Sequence, residues 1–177
     1  MNHRSALLVI LLFAPTANVP AQGGGPGTLL ENYIRSLPLQ SVDARERQHL
    51  TFLREEEKLA RDVYLALAAR WSLPVFGNIA AAEQSHMDLV RLLLERYQIP
   101  DPLPNERPGV FTQPLFLQLY PLAVAFGSLS PMHAELVGAV IEDLDISDLD
   151  GALFESDNRD LDTVWQNLQR GSRNHLR

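Results

Sequence analysis

The stretch Phe76-Gly77-Asn78-Ile79-Ala80-Ala81-Ala82-Glu83-Gln84-Ser85-His86 constrains the fold more than any other part of this chain. Apolar residues at Ile79, Val90 and Leu93 recur at helical spacing. Glu83 and His86 fall on the same stripe, three residues apart. Residues i and i+3 share a helix face, so a carboxylate and an imidazole point together toward the core. Buried charges are paired or bind metal, because either one alone is costly to desolvate. A Glu-x-x-His pair on the inward face of a bundle helix is half of a carboxylate-bridged two-metal site. Alone the pair is a weak signal, since most such pairs lie on helix surfaces. Its weight comes from the other helices.

Ser41 or Asp43 caps the first long helix, which runs to about Trp71. Its stripe is Leu50, Leu53, Glu57, Ala60, Tyr64, Leu67 and Trp71. Of the consecutive acids Glu55, Glu56 and Glu57, only Glu57 lies on the stripe, so Glu55 and Glu56 are expected on a solvated face. Ser72-Leu73-Pro74 makes a turn, and the second long helix spans about Val75 to Tyr97. Pro100, Pro102, Pro104 and Pro108 forbid regular structure up to Gly109. Thr112 to Phe126 is a further apolar helical segment, interrupted by Gly127 and Ser128. Ser130-Pro131 opens the third long helix, with Ala134, Gly138, Ile141, Glu142, Asp145 and Leu149 on one face. The fourth starts near Asp157 and aligns Leu161, Val164, Leu168, Ser172 and His175.

This pattern predicts an all-α protein: a four-helix bundle with a long crossover between long helices two and three. Each long helix brings a metal-capable residue to its core face: Glu57; Glu83 and His86; Glu142 and Asp145; His175. Four carboxylates and two imidazoles match the ligand inventory of a two-metal site, and four ionised carboxylates offset two divalent cations. Without metal, crowded buried carboxylates are expected to have raised pKa values. The competing readings are a core histidine paired with a carboxylate for His86, a cap or arginine partner for Asp145, and a surface residue for His175. Tyr64 is a packing residue or a hydrogen-bond donor to a ligand carboxylate. His49, His133 and Asp88 are expected at the surface.

The 177 residues are enough for one domain with a core. Arg4, the apolar run Ala6 to Ala14 and the small residues before Ala21 read as a signal peptide over residues 1–21, cut after Ala21. Residues 22–40 then form a Gly-rich tether and a short helix at Leu29 to Leu37, and residues 41–177 the bundle. Export to the periplasm or exterior follows, with no other run long enough to span a membrane. Cleavage removes one arginine and makes the net charge of −7 one unit more negative. That balance disfavours nucleic acid as a partner. The absence of cysteine excludes disulfides, thiolate metal sites and iron–sulfur clusters.

The blocks Glu55-Glu56-Glu57-Lys58-Leu59-Ala60-Arg61-Asp62-Val63-Tyr64, Phe76 to His86, Ile141-Glu142-Asp143-Leu144-Asp145-Ile146 and Gly171-Ser172-Arg173-Asn174-His175-Leu176-Arg177 resemble a bacterial and archaeal domain-of-unknown-function family of the ferritin-like superfamily. The resemblance covers about Leu50 to the end. More distantly the chain is similar to rubrerythrins, through Glu57 seven residues before Tyr64, the Phe76 to His86 pattern, and the acidic pair Glu142 and Asp145. Rubrerythrins carry Glu-x-x-His on the fourth helix, where this chain has Ser172-x-x-His175; Asp145 is the residue expected to supply the missing carboxylate. The resemblance implies a ferritin-like bundle with two metal ions, iron first and manganese second. It also implies oxidase or peroxidase chemistry with dioxygen or peroxide and an external electron donor. A homodimer is a further expectation, which the sequence itself does not decide. The competing function is a non-catalytic bundle that binds a metal or a partner.

Overall fold

The structure, a computed structural model, describes residues 26–177. The segment expected to be a signal peptide, residues 1–21, and most of the expected tether lie outside the described residues. Six helices follow one another: α1 (Pro26–Ser36), α2 (Ala44–Trp71), α3 (Pro74–Arg96), α4 (Pro114–Gly127), α5 (Pro131–Glu155) and α6 (Arg159–His175). Every regular element among the described residues is helical, so the chain is all-α.

The helix ends follow local chemistry. Asp43, rather than Ser41, caps α2: its side chain accepts from the amides of Arg45 and Glu46, and the Glu46 carboxylate accepts from the Asp43 amide in return. Ser72 closes α2 in the left-handed region at φ 52°, and Pro74 opens α3 at its first turn. Ser130 caps α5 ahead of Pro131, as its sequence predicts. Three helices have boundaries that differ from expectation. α1 begins at Pro26 rather than Leu29. α4 begins at Pro114 rather than Thr112 and includes Gly127, where Leu67 and Val137 leave no room for a side chain. α6 begins at Arg159 after Asn158, whose side chain is tied to Ser41 and Glu46.

α2 packs most extensively on α3 and also on α5, while α6 packs on α5 and α3, so the four long helices close a ring of contacts. α4 lies within the connection from α3 to α5 and packs on α2 and α5. Two apolar clusters share the interior. One gathers Leu50, Leu53, Val90, Leu93, Leu149, Val164 and Trp165. The other gathers Leu59, Val63, Leu67, Phe76, Phe116, Ala134 and Ile141. Along α2, α3 and α5 the two clusters leave a gap, and Glu57, Glu83, His86, Glu142 and Asp145 fall in it.

The solvated face expected for Glu55 and Glu56 is overturned: α2 is buried without a break from Leu53 to Tyr64, with α4 covering the side left free by α3 and α5. Glu55 accepts from the amides of Thr112 and Gln113, at 2.6 and 3.1 Å, and from the Thr112 hydroxyl, so it anchors the start of α4. Basic residues of α2 tie down the Pro-rich connection. Arg54 donates to Asp101 and Glu106. The ammonium of fully buried Lys58 lies 2.5 Å from fully buried Asp62 and donates to the Arg107 carbonyl. Asp62 also accepts from Arg61 and from the Gly109 amide.

Candidate metal centre

Four helices bring seven polar side chains into the gap between the apolar clusters. Glu57 comes from α2, Glu83 and His86 from α3, Glu142 and Asp145 from α5, and Ser172 and His175 from α6. Glu57, Glu83, His86, Glu142, Asp145 and Ser172 are buried, and His175 is half-buried at the end of its helix. Nδ1 of His86 lies 2.8 Å from Glu83 Oε2 and 3.2 Å from Glu57 Oε2. Nδ1 of His175 lies 2.9 Å from Glu83 Oε1 and 3.3 Å from Glu142. Both imidazoles therefore present the same nitrogen to the carboxylates, with ring centroids 6.1 Å apart.

Two triads result: Glu57, Glu83 and His86, and Glu83, Glu142 and His175, each with ligand atoms within 4.8 Å of one another. Glu83 belongs to both. Asp145 belongs to neither; its Oδ2 accepts from Ser172 Oγ at 2.5 Å. Tyr64 donates its hydroxyl to Glu142 Oε1 at 2.8 Å, the role left open beside packing. Close approach is built into the backbone as well. A side chain at Gly171 would place its Cβ 2.5 Å from His86, and one at Gly138 would meet the Tyr64 hydroxyl at 2.8 Å. His49 pairs with Glu155 and His133 with Ser130, both away from the cluster and half-buried rather than at the open surface. Asp88, half-buried, pairs with Arg91.

The electrostatics follow from crowding in an apolar surround. Burial, then the charges of Asp145 and Glu83, push the Glu57 carboxyl well above its ordinary value. Burial, and then Glu83, push Asp145 up to about 7, against the stabilising Ser172 hydrogen bond. Burial also raises Glu142, opposed by His175 and Tyr64. Glu83 goes the other way. Burial favours its neutral form, but hydrogen bonds from His175 and His86 outweigh this and hold it at about 2. Burial disfavours charge on both histidines, yet Glu83 raises His86, and Glu142 with Glu83 raises His175 to about 9.

Two buried oxygens at the centre, Glu57 Oε1 and Asp145 Oδ1, have no hydrogen-bond donor, and Glu83 Oε1 has only the imidazole of His175 beside it. Leaving a buried acceptor unmade costs on the order of 1–3 kcal/mol, so two such oxygens beside a shared carboxylate mark a place that a cation would complete. The basic residues of α2 do not reach it; Arg54, Lys58 and Arg61 are engaged by Asp101, Glu106, Asp62 and Gln84. An oxygen and imidazole donor set without sulfur fits iron or manganese. A cavity of about 370 Å³, lined by Tyr64, Phe76, Ile79, Gly138 and His175 among others, opens beside the second triad.

The family profile described as an uncharacterized protein domain, DUF2202, matches residues 46–177, about three quarters of the sequence. The chain belongs to the DUF2202 family. Its DUF2202 region starts in the first turn of α2 and contains every residue of both triads. The chain is 52% identical over 145 residues to an uncharacterized protein, MJ0754, of the archaeon Methanocaldococcus jannaschii, covering 82% of this chain and 78% of the relative. The crystal structure of that hypothetical protein superposes with a TM-score of 0.78 over 80% of this chain and 81% of the other. The DUF2202 fold described above is thus shared with the archaeal protein.

Glu56 is the residue that sequence reasoning missed near the site. It is buried beside Glu57, and its Oε2 has no donor. The signal was present in α4, whose continuous apolar run needs a surface to cover, and α2 supplies it.

Proposed function

We propose that this DUF2202 protein is a ferritin-like, two-metal carboxylate protein that performs oxidase or peroxidase chemistry, with iron as the metal and manganese as the alternative. The ring of contacts among α2, α3, α5 and α6, with α4 in the connection, supports reading the fold as a ferritin-like four-helix bundle distantly similar to rubrerythrin. The observation that carries the proposal is Glu83: one buried carboxylate shared by two triads, each completed by an imidazole Nδ1.

In this reading Glu83 spans the two positions. Glu57 and His86 hold one, and Glu142 and His175 hold the other. With divalent iron held at both positions, the centre would supply two electrons for the reduction of dioxygen or peroxide. The chain's own groups fix the geometry. Tyr64 orients Glu142 through its hydroxyl, and Ser172 orients Asp145, which keeps one oxygen free toward the centre. The cavity beside His175 admits a small oxidant, and the apolar clusters on either side exclude bulk water. With no cysteine in the chain, electrons come from an external donor. Export after cleavage at Ala21, the remaining domain limits and a homodimeric assembly belong to the same proposal. N-terminal sequencing of secreted protein and light scattering test the first and last of these.

A second reading, a non-catalytic metal- or partner-binding bundle, draws on Ser172, whose hydrogen bond occupies one Asp145 oxygen where the resemblance implies a further carboxylate. Anaerobic reconstitution with Fe(II), metal analysis, and absorption spectra after adding air or peroxide separate the two. Two iron ions per chain and an oxidant-dependent spectral change are expected. Bound metal with no response to either oxidant favours the second reading, and failure to bind iron or manganese overturns the metal centre.

A further inference from the structure

A second cavity, of about 180 Å³, opens where α2, α4 and α5 meet. Its wall is apolar, built by Phe52, Leu115, Phe116 and Leu144 among others, and it holds two charged residues, Glu56 and Asp148. Both are acids. Asp148 is half-buried at the mouth, and Glu56 is 6% exposed with Oε2 lacking any donor. Each wall leads one step to the centre: Glu57 follows Glu56 on α2, and Asp145 lies one helical turn before Asp148 on the same face of α5. At the centre, Asp145 Oδ1 and Glu57 Oε1 are likewise without a donor. Carboxylates on two adjoining helices thus connect the half-buried mouth with the edge of the centre, and Glu56, Glu57 and Asp145 each keep an oxygen without a donor.

Among the described residues no Lys or Arg pairs with Glu56, Asp145 or Asp148. The sequence has no Lys or Arg from Pro108 to Asn158, which includes all of α4 and α5. The basic residues of α2 nearest in sequence, Arg54, Lys58 and Arg61, are held by the Pro-rich connection and Gln84. Low-dielectric walls around acids of one sign focus the field and raise the local cation concentration.

We infer that this cavity is the entry site for divalent cations, in which Asp148 and Glu56 take the ion at the surface and pass it to Asp145 at the edge of the centre. The inference rests on the two-metal reading and adds a route to it. The cavity beside His175 then serves the uncharged oxidant, so ion and oxidant arrive from different sides.

The test is stopped-flow uptake of Co(II) by the full-length metal-free protein, followed by visible absorption, alongside the final Co(II) stoichiometry by equilibrium dialysis. Glu56→Gln, Asp148→Asn and the double variant are compared with Asp143→Asn, an exposed acid of α5 outside the cavity, and Glu135→Gln, which lines the cavity beside His175. Expected are the wild-type stoichiometry in all variants, with uptake slowed about tenfold or more in Glu56→Gln and the double variant. Uptake by wild type should also slow with added salt, and less so in the double variant. Asp148→Asn, at a half-exposed position, keeps the test open if Glu56→Gln does not fold. Wild-type uptake rates in Asp148→Asn and the double variant, or slowing by Glu135→Gln alone, overturn the inference and leave the centre intact. A wild-type chain that takes up no Co(II) overturns both.

Discussion

Gly171→Ala tests the packing of the centre without requiring any metal. The new Cβ would lie 2.5 Å from both Cε1 and Nε2 of His86, about 1 Å inside the usual separation of nonbonded heavy atoms. The ring has little room to retreat, because its Nδ1 is held at 2.8 Å by Glu83 and at 3.2 Å by Glu57. Overpacking of this kind costs about 1–3 kcal/mol, while replacing a mid-helix glycine by alanine returns about 0.5–1 kcal/mol through helix propensity. A net loss of up to about 2.5 kcal/mol is expected, or up to roughly 10 °C in Tm for a chain of this size. Gly77 and Gly151 provide internal controls, since both are helical and a Cβ on either meets nothing within 4 Å. Gly77→Ala and Gly151→Ala should gain about 0.5–1 kcal/mol. Urea unfolding in chelator, followed by circular dichroism, measures all three variants. If Gly171→Ala is as stable as Gly151→Ala, α6 does not press on His86 as described.

Glu83→Ala should remove both cation positions together, with a fall in Co(II) or Fe(II) affinity of about tenfold or more; calorimetric titration that still shows one unperturbed site would contradict the sharing. In the metal-free chain the raised carboxyls of Glu57 and Asp145 contribute stability below their unfolded values, lost as pH rises through about 7 for Asp145, and the raised His175 contribution is lost through about 9. Depressed Glu83 acts oppositely, its contribution being lost only as pH falls through about 2, so Tm in chelator should fall from pH 4 to 9. With metal bound, acid releases the ion and Tm should instead rise from pH 4 to neutrality; parallel curves with and without metal contradict this. Asp62→Ala, which strands the fully buried Lys58 ammonium, should cost about 3–5 kcal/mol in urea unfolding. Lys58→Met with Asp62→Leu should recover most of that loss.

The inward stripes were legible because a helix packed on one side leaves a 3.6-residue apolar record. Leu50, Leu53, Ala60, Tyr64 and Leu67 of α2 are buried as that periodicity places them, and so are Ile141, Leu149, Leu161 and Leu168. Polar residues on the same stripe, Glu57, Glu83, His86, Glu142 and Asp145, were legible for the same reason. What failed was the assumption that α2 has an outer face. It is covered by α3, α5 and α4 at once, so its middle turns carry no amphipathic signal, and Glu55 and Glu56 read as solvated. Their partners are also remote in sequence: Glu55 meets Thr112, and Arg54 meets Asp101. Periodicity carries no information on such pairs. Nor could it separate Asp145 from Glu142, three residues apart on one face. The difference lies in what each meets, Ser172 for the one and Tyr64 and His175 for the other.

The division of the six residues between helices bears on the order of assembly. α2 and α3 are joined by only Ser72 and Leu73, and α5 and α6 by Ser156 to Asn158, so each pair is a hairpin with local contacts that can form early. Glu57, Glu83 and His86 all belong to the first hairpin. Glu142 and His175 belong to the second and meet Glu83 only after residues 97–130 have brought the halves together. One triad is therefore complete within a single folding unit, while the other exists only in the docked molecule. Refolding followed with and without a divalent cation should show the ion engaging the first hairpin before the second arrives, with occupancy of the second position reporting the docking step itself.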